Sequence, residues 1–216
     1  YGPDMRNLSF TDRLLEELQH GLSTSHLQPG AARRGYPAND AEQGELSPGE
    51  KAHVAGLMRV NNAGEVAAQG LYRGQAFSAR EQALSQAMKQ AAEEENEHLN
   101  WCQRRLSELG ERRSLLDGVW YWGSFTIGAL AGAAGDKWSL GFVKETEHQV
   151  CSHLDRHLER LPEQDQRSRS IIEAMREDEL RHAENAAEAG AAELPRPVKT
   201  AMTLVAKIMT VTAYSI

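Results

Sequence analysis

Cysteine is scarce in this chain of 216 residues, which contains only Cys102 and Cys151. Two cysteines with no others near them build neither a disulfide scaffold nor a thiolate zinc site, and we expect both to be small core residues. Aromatic residues make up 6% of the chain, and no segment shows the alternation and β-branched clustering of a sheet. We therefore predict an all-α protein.

Excess positive charge is also lacking, since the formal net charge is −7. The chain as a whole therefore offers a nucleic acid no electrostatic attraction, and we expect no nucleic-acid partner. There is no Gly-x-Gly-x-x-Gly sequence, no cysteine cluster and no haem motif. Any redox reaction on this chain would need electrons from outside it or from its own substrate.

Only one uncharged run approaches the length of a membrane span, the 18 residues between Asp117 and Asp136. A helix that spans a bilayer needs ~20 predominantly apolar residues, and this stretch is short and rich in glycine. Within 115–135 we predict an interfacial or re-entrant helix, or a long crossover between two helix pairs. Whether it inserts into a bilayer or only lies on one stays open.

Two Glu-x-x-His tetrads stand out among the residues that are present, Glu95–His98 and Glu179–His182. Residues at positions i and i+3 lie on one face of a helix, so each tetrad offers a carboxylate and an imidazole to the same point. A lone glutamate precedes each tetrad, Glu65 by 30 residues and Glu147 by 32. The pattern therefore occurs twice, at nearly the same spacing.

This repeated pattern is typical of a four-helix bundle with a di-iron or di-manganese carboxylate centre. Four carboxylates buried together repel one another unless cations neutralise them, and two divalent metals would offset four negative charges. Oxygen-rich ligation with two histidines suits iron or manganese better than zinc. The predicted ligands are Glu65, Glu95, His98, Glu147, Glu179 and His182.

The symmetry of such a bundle predicts that Glu95 and Glu179 bridge the two metals. An acidic residue precedes each tetrad, Glu94 and Asp178, and either could accept the ring N–H of the histidine in the opposite tetrad. The alternative for both is a solvated acidic helix face. Tyr72, two helical turns after the first ligand, lies either near the metals or in the core.

Six histidines lie outside the tetrads. His153 follows Glu147 by six residues and lies off the ligand face of that helix. The other five are expected at the surface: His20, His26, His53, His148 and His157. We expect none of the six to be a metal ligand.

The hydrophobic periodicity divides the chain into an N-terminal extension, residues 1–46, and a bundle, residues 47–216. The extension has the pattern of a short amphipathic helix over 8–20 and a long loop. Ser47-Pro48-Gly49-Glu50 is a typical helix start. The bundle helices are predicted over 50–78, 80–110, 137–160 and 163–190, with the apolar crossover over 115–135 and an amphipathic helix over 198–214.

The stretch Arg59-Val60-Asn61-Asn62-Ala63-Gly64-Glu65 resembles the 5-demethoxyubiquinone hydroxylase family of ubiquinone biosynthesis. The match continues through Tyr72-x-Gly74-Gln75 and both tetrads to the end of the chain. The resemblance implies a ferritin-like four-helix bundle with additional interfacial helices and two iron ions per subunit. It also implies O₂-dependent hydroxylation of a polyprenylated demethoxy-benzoquinol, with an external reductant that is NADH or is quinol-mediated.

The resemblance further implies a peripheral membrane protein on the cytoplasmic face of the bacterial inner membrane, because a polyprenyl chain dissolves in lipid. Other ubiquinone-biosynthesis proteins and a second copy of the chain are candidate partners. Family members carry a His-Tyr pair on the third bundle helix and a tyrosine near the C-terminus, which adds His153 and Tyr214 as catalytic candidates. Leu154 replaces the tyrosine of that pair, which favours a mediator over direct electron transfer.

Two alternatives to a hydroxylase stay open. A soluble ferritin-like ferroxidase or iron-storage protein would share all six ligands but assemble into a cage. A metal-free quinone-binding scaffold would carry acidic helices that are merely solvated. The apolar segments 115–135 and 198–214 favour a lipid substrate, unless they only pack on each other or mediate dimerisation.

Overall fold

The described part of the chain is almost entirely helical. The computed structural model describes residues 9–27, 30 and 32–216, and over these residues the sole β pairing is an isolated bridge between Gln43 and Asp165. The helices are α1 (Phe10–His26), α2 (Pro48–Ser78), α3 (Gln82–Glu108), α4 (Asp117–Ala134), α5 (Asp136–Arg160), α6 (Gln166–Glu188) and α7 (Arg196–Ser215). The prediction of an all-α protein is confirmed.

Local sequence signals set most of the helix ends. Ser47 accepts the backbone amide of Glu50, and the Glu50 carboxylate accepts the amide of Ser47, which forms the predicted capping box of α2. Gly110 and Gly190 follow α3 and α6 with φ angles of +69° and +89°, in the left-handed region that glycine adopts most easily. The first helix differs, since it continues to His26 and not to residue 20.

Helices α2, α3, α5 and α6 form a ferritin-like four-helix bundle, and α4 connects its two halves. Two apolar clusters fill the bundle core. One includes Leu57 and Trp101, and the other includes Met88 and Val143. On each of the four helices the candidate ligands lie between the residues of these two clusters, so a polar layer is enclosed between two apolar ones.

Helix α4 packs on α2 with the two backbones in contact. A Cβ atom added to Gly74 would lie 2.1 Å from the carbonyl oxygen of Phe125, and one added to Gly128 would lie 2.2 Å from that of Leu71. Gly70 approaches the carbonyl oxygen of Tyr121 in the same way. Gly128 of the uncharged segment therefore allows close helix packing, in agreement with the crossover interpretation.

Helix α1 turns its polar side, and not its leucines, towards the bundle. Glu17 and Thr24 are buried, whereas Leu15 and Leu22 are 58% and 57% exposed. The carboxylate of Glu17 accepts two hydrogen bonds of 2.8 Å from the buried Arg73 of α2. This ion pair explains the orientation, because a buried arginine needs a carboxylate partner.

The extension after α1 and the C-terminal helix both contact the bundle. Tyr36 and Ala38 are buried in the core cluster of Leu57, and Ala213 of α7 packs against Val60 and Ala63. No helix of the described residues is both long enough and apolar enough to cross a membrane. The division of the chain at residue 47 stays a prediction.

Candidate metal centre

The six predicted ligands lie on the four bundle helices, and their side chains are buried. Helices α2 and α5 each supply one glutamate, and α3 and α6 each supply a Glu-x-x-His pair. None of the six is more than 7% exposed: Glu65, Glu95, His98, Glu147, Glu179 and His182. The spacing of the tetrads therefore brings residues from distant parts of the chain into one layer of the bundle.

The Nδ1 atom of His98 is surrounded by three carboxylates. It lies 2.9 Å from Oε2 of Glu95, 3.0 Å from Oε1 of Glu179 and 3.4 Å from Oε2 of Glu65. One ligand atom from each of these four residues lies within 4.8 Å of the others. A single cation could contact all four side chains.

The second histidine faces two of the same carboxylates. Nδ1 of His182 lies 3.2 Å from Oε1 of Glu95 and 3.4 Å from Oε2 of Glu179. Each carboxylate thus presents one oxygen to His98 and the other to His182. This is the arrangement expected of carboxylates that bridge two neighbouring cations.

Glu147 completes the layer from α5. Its Oε1 atom accepts a hydrogen bond from the hydroxyl of Tyr72, which is fully buried. Glu147 also lies close enough to Glu179 for the two carboxyl groups to interact. Tyr72 therefore contacts a candidate ligand directly and is also part of the core cluster of Met88.

Several donor atoms converge, and although they lie close together, none forms a well-aligned hydrogen bond with the described residues. They are both carboxylate oxygens of Glu95, Nδ1 of His98, Oε2 of Glu179 and Nδ1 of His182. Buried polar atoms are nearly always hydrogen-bonded in folded proteins, whereas atoms that bind a cation are turned towards it. The donor set therefore fits a metal ion, and the buried cluster could hold one.

The pKa shifts of these buried side chains show how strongly the layer needs positive charge. Burial, together with the neighbouring carboxylates, raises the pKa of Glu65 and of Glu147 well above the ordinary value. Burial opposes protonation of His182, but Glu179 and Glu95 outweigh it and raise the pKa of His182 to about 12. Protons on these groups supply counter-charge that a divalent cation would supply instead.

The outer nitrogens of the two histidines are held by crossed hydrogen bonds. Nε2 of His98 donates to Oδ2 of Asp178, and Nε2 of His182 donates to Oε2 of Glu94. The donor–acceptor distance is 3.0 Å in both bonds. The predicted pairing with the opposite tetrad is confirmed for both acidic residues. These bonds direct each Nδ1 atom into the layer and fix the orientation of each ring.

One prediction about the remaining histidines is wrong, and a second holds only in part. His157 is 1% exposed, and its ring lies beside that of His153, with 4.0 Å between the centroids and an angle of 60° between the planes. His53 is half-buried and is hydrogen-bonded through Nδ1 to the hydroxyl of Tyr214 at 2.6 Å. The other three are exposed as expected: His20, His26 and His148.

His153 and Tyr214, the two further catalytic candidates, make their described contacts with His157 and His53, and not with the ligands. Their catalytic role stays a prediction.

Of the two cysteines, Cys102 is buried as expected, and Cys151 is only half-buried. Sequence reasoning missed Arg34, which pairs with Asp178, because it lies in a loop without any periodic pattern.

Comparison with known proteins identifies the family. Residues 52–213 match the family described as ubiquinone biosynthesis protein COQ7, a range that includes all six candidate ligands. The chain is 54% identical over 205 residues to the 3-demethoxyubiquinol 3-hydroxylase of Chromobacterium violaceum, covering 95% of this chain and 99% of that protein.

Two further relatives have the same name and similar coverage. The 3-demethoxyubiquinol 3-hydroxylase of Nitrosococcus oceani is 54% identical over 209 residues, which are 97% of this chain and 98% of that protein. The one from Xanthomonas campestris pv. campestris is 52% identical over 212 residues, 98% and 97% respectively. The resemblance noted in the sequence motifs is confirmed, and the chain belongs to the ubiquinone biosynthesis protein COQ7 family.

Proposed function

We propose that this chain is a di-iron monooxygenase that uses O₂ to hydroxylate a polyprenylated demethoxy-benzoquinol in ubiquinone biosynthesis. The observation that carries this proposal is that Glu95 and Glu179 each turn one oxygen to His98 and the other to His182. The names of the relatives, 3-demethoxyubiquinol 3-hydroxylase, supply the substrate class.

The proposed ligand roles follow the symmetry of the layer. Glu95 and Glu179 would hold both iron ions, Glu65 with His98 would bind one ion, and Glu147 with His182 would bind the other. When bound, the two ions supply the activation of O₂ for insertion of one oxygen atom into the quinol ring.

The protein's own contribution is the environment of this layer. The apolar clusters on either side exclude water and so strengthen the interactions of the buried carboxylates. Asp178 and Glu94 keep the Nδ1 atoms of both histidines free for the ions. No binding motif for a dinucleotide or haem occurs in the sequence, so the electrons come from an external reductant, NADH or a quinol mediator.

We also propose that the protein works as a peripheral protein on a lipid surface, the cytoplasmic face of the bacterial inner membrane. On α7, Leu204, Ile208 and Val211 are 51% to 63% exposed, and on α4 Val119 and Leu130 are 60% and 67% exposed. Helix α7 contains three basic residues and no acidic one. An exposed apolar stripe with nearby positive charge favours binding to an anionic bilayer.

Liposome flotation tests the lipid contact. The double variant Leu204→Asp/Ile208→Asp should lose most binding to vesicles that contain anionic lipid while keeping its metal content. Trp122 and Phe125 of α4 are less suitable targets, because their rings pack against each other at 5.6 Å and are half-buried. Unchanged flotation of the double variant would contradict this surface.

The reaction is tested by anaerobic reconstitution with ferrous iron, followed by a single turnover with a short-chain demethoxy-quinol and ¹⁸O₂. One labelled oxygen in the product is expected. Label from H₂¹⁸O, or turnover without iron, would overturn the mechanism. Iron oxidation without product, by a protein that elutes as a large cage, would support the ferroxidase alternative instead.

A further inference from the structure

We propose that Arg34, in the N-terminal extension, is a positioning residue of the metal centre that orients His98 by holding Asp178. The proposal rests on the metal centre proposed above. It makes part of the extension a functional component of the bundle, although the extension supplies no ligand.

The backbone around Arg34 is tied to α3, the helix that carries His98. The buried carboxylate of Glu97 accepts the amide of Arg33 at 2.7 Å and the amide of Arg34 at 3.1 Å. Three residues earlier in the described chain, Gly30 exchanges hydrogen bonds of 3.1 and 3.2 Å with the side chain of Asn96. The loop therefore has a fixed register on α3, which places Arg34 over the metal layer.

The side chain of Arg34 then reaches α6. Its Nη1 atom forms an ion pair with Oδ2 of Asp178, the same oxygen that accepts the ring N–H of His98. The guanidinium group also lies 4.8 Å from the ring centroid of Trp101, and that ring lies 5.3 Å from the ring of His98. Arg34 thus contacts Asp178 and Trp101, each of which contacts His98.

Asp178 is held from both of its oxygens. Arg34 binds Oδ2, and Nη2 of Arg181, one turn further along α6, lies 2.7 Å from Oδ1. The Asp178 side chain is 4% exposed. A carboxylate fixed at both oxygens presents its hydrogen bond to His98 in one direction only, and outer partners of this kind tune metal affinity.

The corresponding partner of the second histidine is held less firmly. The side chain of Glu94, which accepts the ring N–H of His182, is 44% exposed. Within the described residues its other hydrogen bond comes from Gln90 at 3.1 Å. The two halves of the centre therefore differ, and the difference is produced by the arginines on the His98 side.

Removal of Arg34 should affect one half of the centre. The variant Arg34→Ala removes the ion pair from Oδ2 of Asp178 and should weaken metal binding at the His98 position by about tenfold, the lower end of the effect usual for outer partners. Arg34→Lys should recover only part of this affinity, because an ammonium group lacks the planar fork that binds a carboxylate and stacks on an aromatic ring.

The test is a titration of the metal-free protein with Co²⁺, followed by visible absorption and without turnover. The matched control is Arg33→Ala, the adjacent arginine, whose side chain is 83% exposed. For Arg34→Ala we expect two binding steps, one of them about tenfold weaker with a changed spectrum. For Arg33→Ala we expect the wild-type titration. A spectrum and affinities unchanged in Arg34→Ala, or changed equally by Arg33→Ala, would overturn the proposal.

A double-mutant cycle distinguishes positioning from a general loss of packing. If Arg34 acts through Asp178, then Arg34→Ala should add little in the Asp178→Asn background, whereas fully additive losses would contradict this. A wild-type protein that binds no Co²⁺ would overturn the metal centre and this inference with it. Normal binding with the Arg34 effect but no hydroxylation would leave this inference standing and refute only the proposed reaction.

Discussion

The hydroxyl of Tyr72 on α2 donates a hydrogen bond to Glu147 on α5, across the interior of the bundle. Both side chains are buried. A tyrosine in this position holds the carboxylate of a proposed terminal ligand at a fixed angle, although the tyrosine itself binds no ion in the proposed scheme.

The variant Tyr72→Phe should therefore bind one of its two metals about tenfold more weakly, since outer hydrogen bonds orient the ligands. The metal-free form should lose roughly 1–2 kcal/mol of stability, because a buried acceptor loses its donor. Isothermal titration with Fe²⁺ or Mn²⁺ measures the affinity. Tyr36→Phe is a matched control, since Tyr36 donates to Glu108 at 3.3 Å, away from the ligands. Equal metal binding by both variants would refute the role of Tyr72.

The variant Glu179→Ala should lose at least one of the two metals per chain while its helix content stays the same. The reason is that the Glu179 carboxylate lies beside Nδ1 of both histidines, and no other carboxylate of α6 does so. Metal analysis after gel filtration measures the stoichiometry, and Glu177→Ala, an exposed change on the same helix, should keep both metals. Full occupancy in Glu95→Ala/Glu179→Ala protein would contradict the ligand assignment.

The variant Gly74→Ala should destabilise the fold by about 1–3 kcal/mol or more, because its methyl group would overlap the backbone of α4. The control is Gly123→Ala on α4, where an added Cβ would meet nothing within 4 Å. That change should stabilise the protein by up to about 1 kcal/mol, since alanine favours a helix more than glycine does. Urea unfolding of both variants gives the comparison. Equal stability of the two would show that α2 and α4 are not in backbone contact.

Acid should weaken the fold through His153 and His157, the two neighbouring histidines of α5. Burial and the proximity of His153 and Arg160 lower the pKa of His157 to about 2, and burial lowers the pKa of His153 to about 4. The unfolded chain takes up protons on both below about pH 6.5, whereas the folded chain does not. The free energy of unfolding therefore falls with falling pH, by about 1.4 kcal/mol per pH unit for each histidine.

Urea unfolding of the metal-free protein between pH 7.5 and 4.5 measures this slope. His157→Leu should flatten it by about 1.4 kcal/mol per unit below pH 6. His148→Leu should leave it unchanged, since His148 is exposed on the same helix. A slope in His157→Leu as steep as that of the wild type would show that His157 is protonated in the folded protein.

The bundle and its polar layer could be predicted from the sequence because both depend on local periodicity. A Glu-x-x-His tetrad specifies its own geometry once its segment is helical, and the repetition of the tetrad with an upstream glutamate specifies the partners. The helix ends at Ser47, Gly110 and Gly190 follow from capping chemistry that acts within a few residues.

The orientation of α1, the burial of His157 and the position of Arg34 could not be predicted in this way. The leucines of α1 suggest a face packed on the bundle, yet the ion pair of Glu17 with Arg73, 56 residues away, turns them outwards. Arg34 meets Asp178 at a separation of 144 residues. Such contacts arise from the assembled fold, and no pattern within either segment contains them.

The backbone contact between α4 and α2 has a mechanical consequence. Gly70 and Gly74 lie against carbonyl oxygens of α4, so neither helix can slide along the other without a collision of main-chain atoms. Glu65 lies on α2, little more than one turn before Gly70, so the helix that carries this candidate ligand is the helix on which α4 rests.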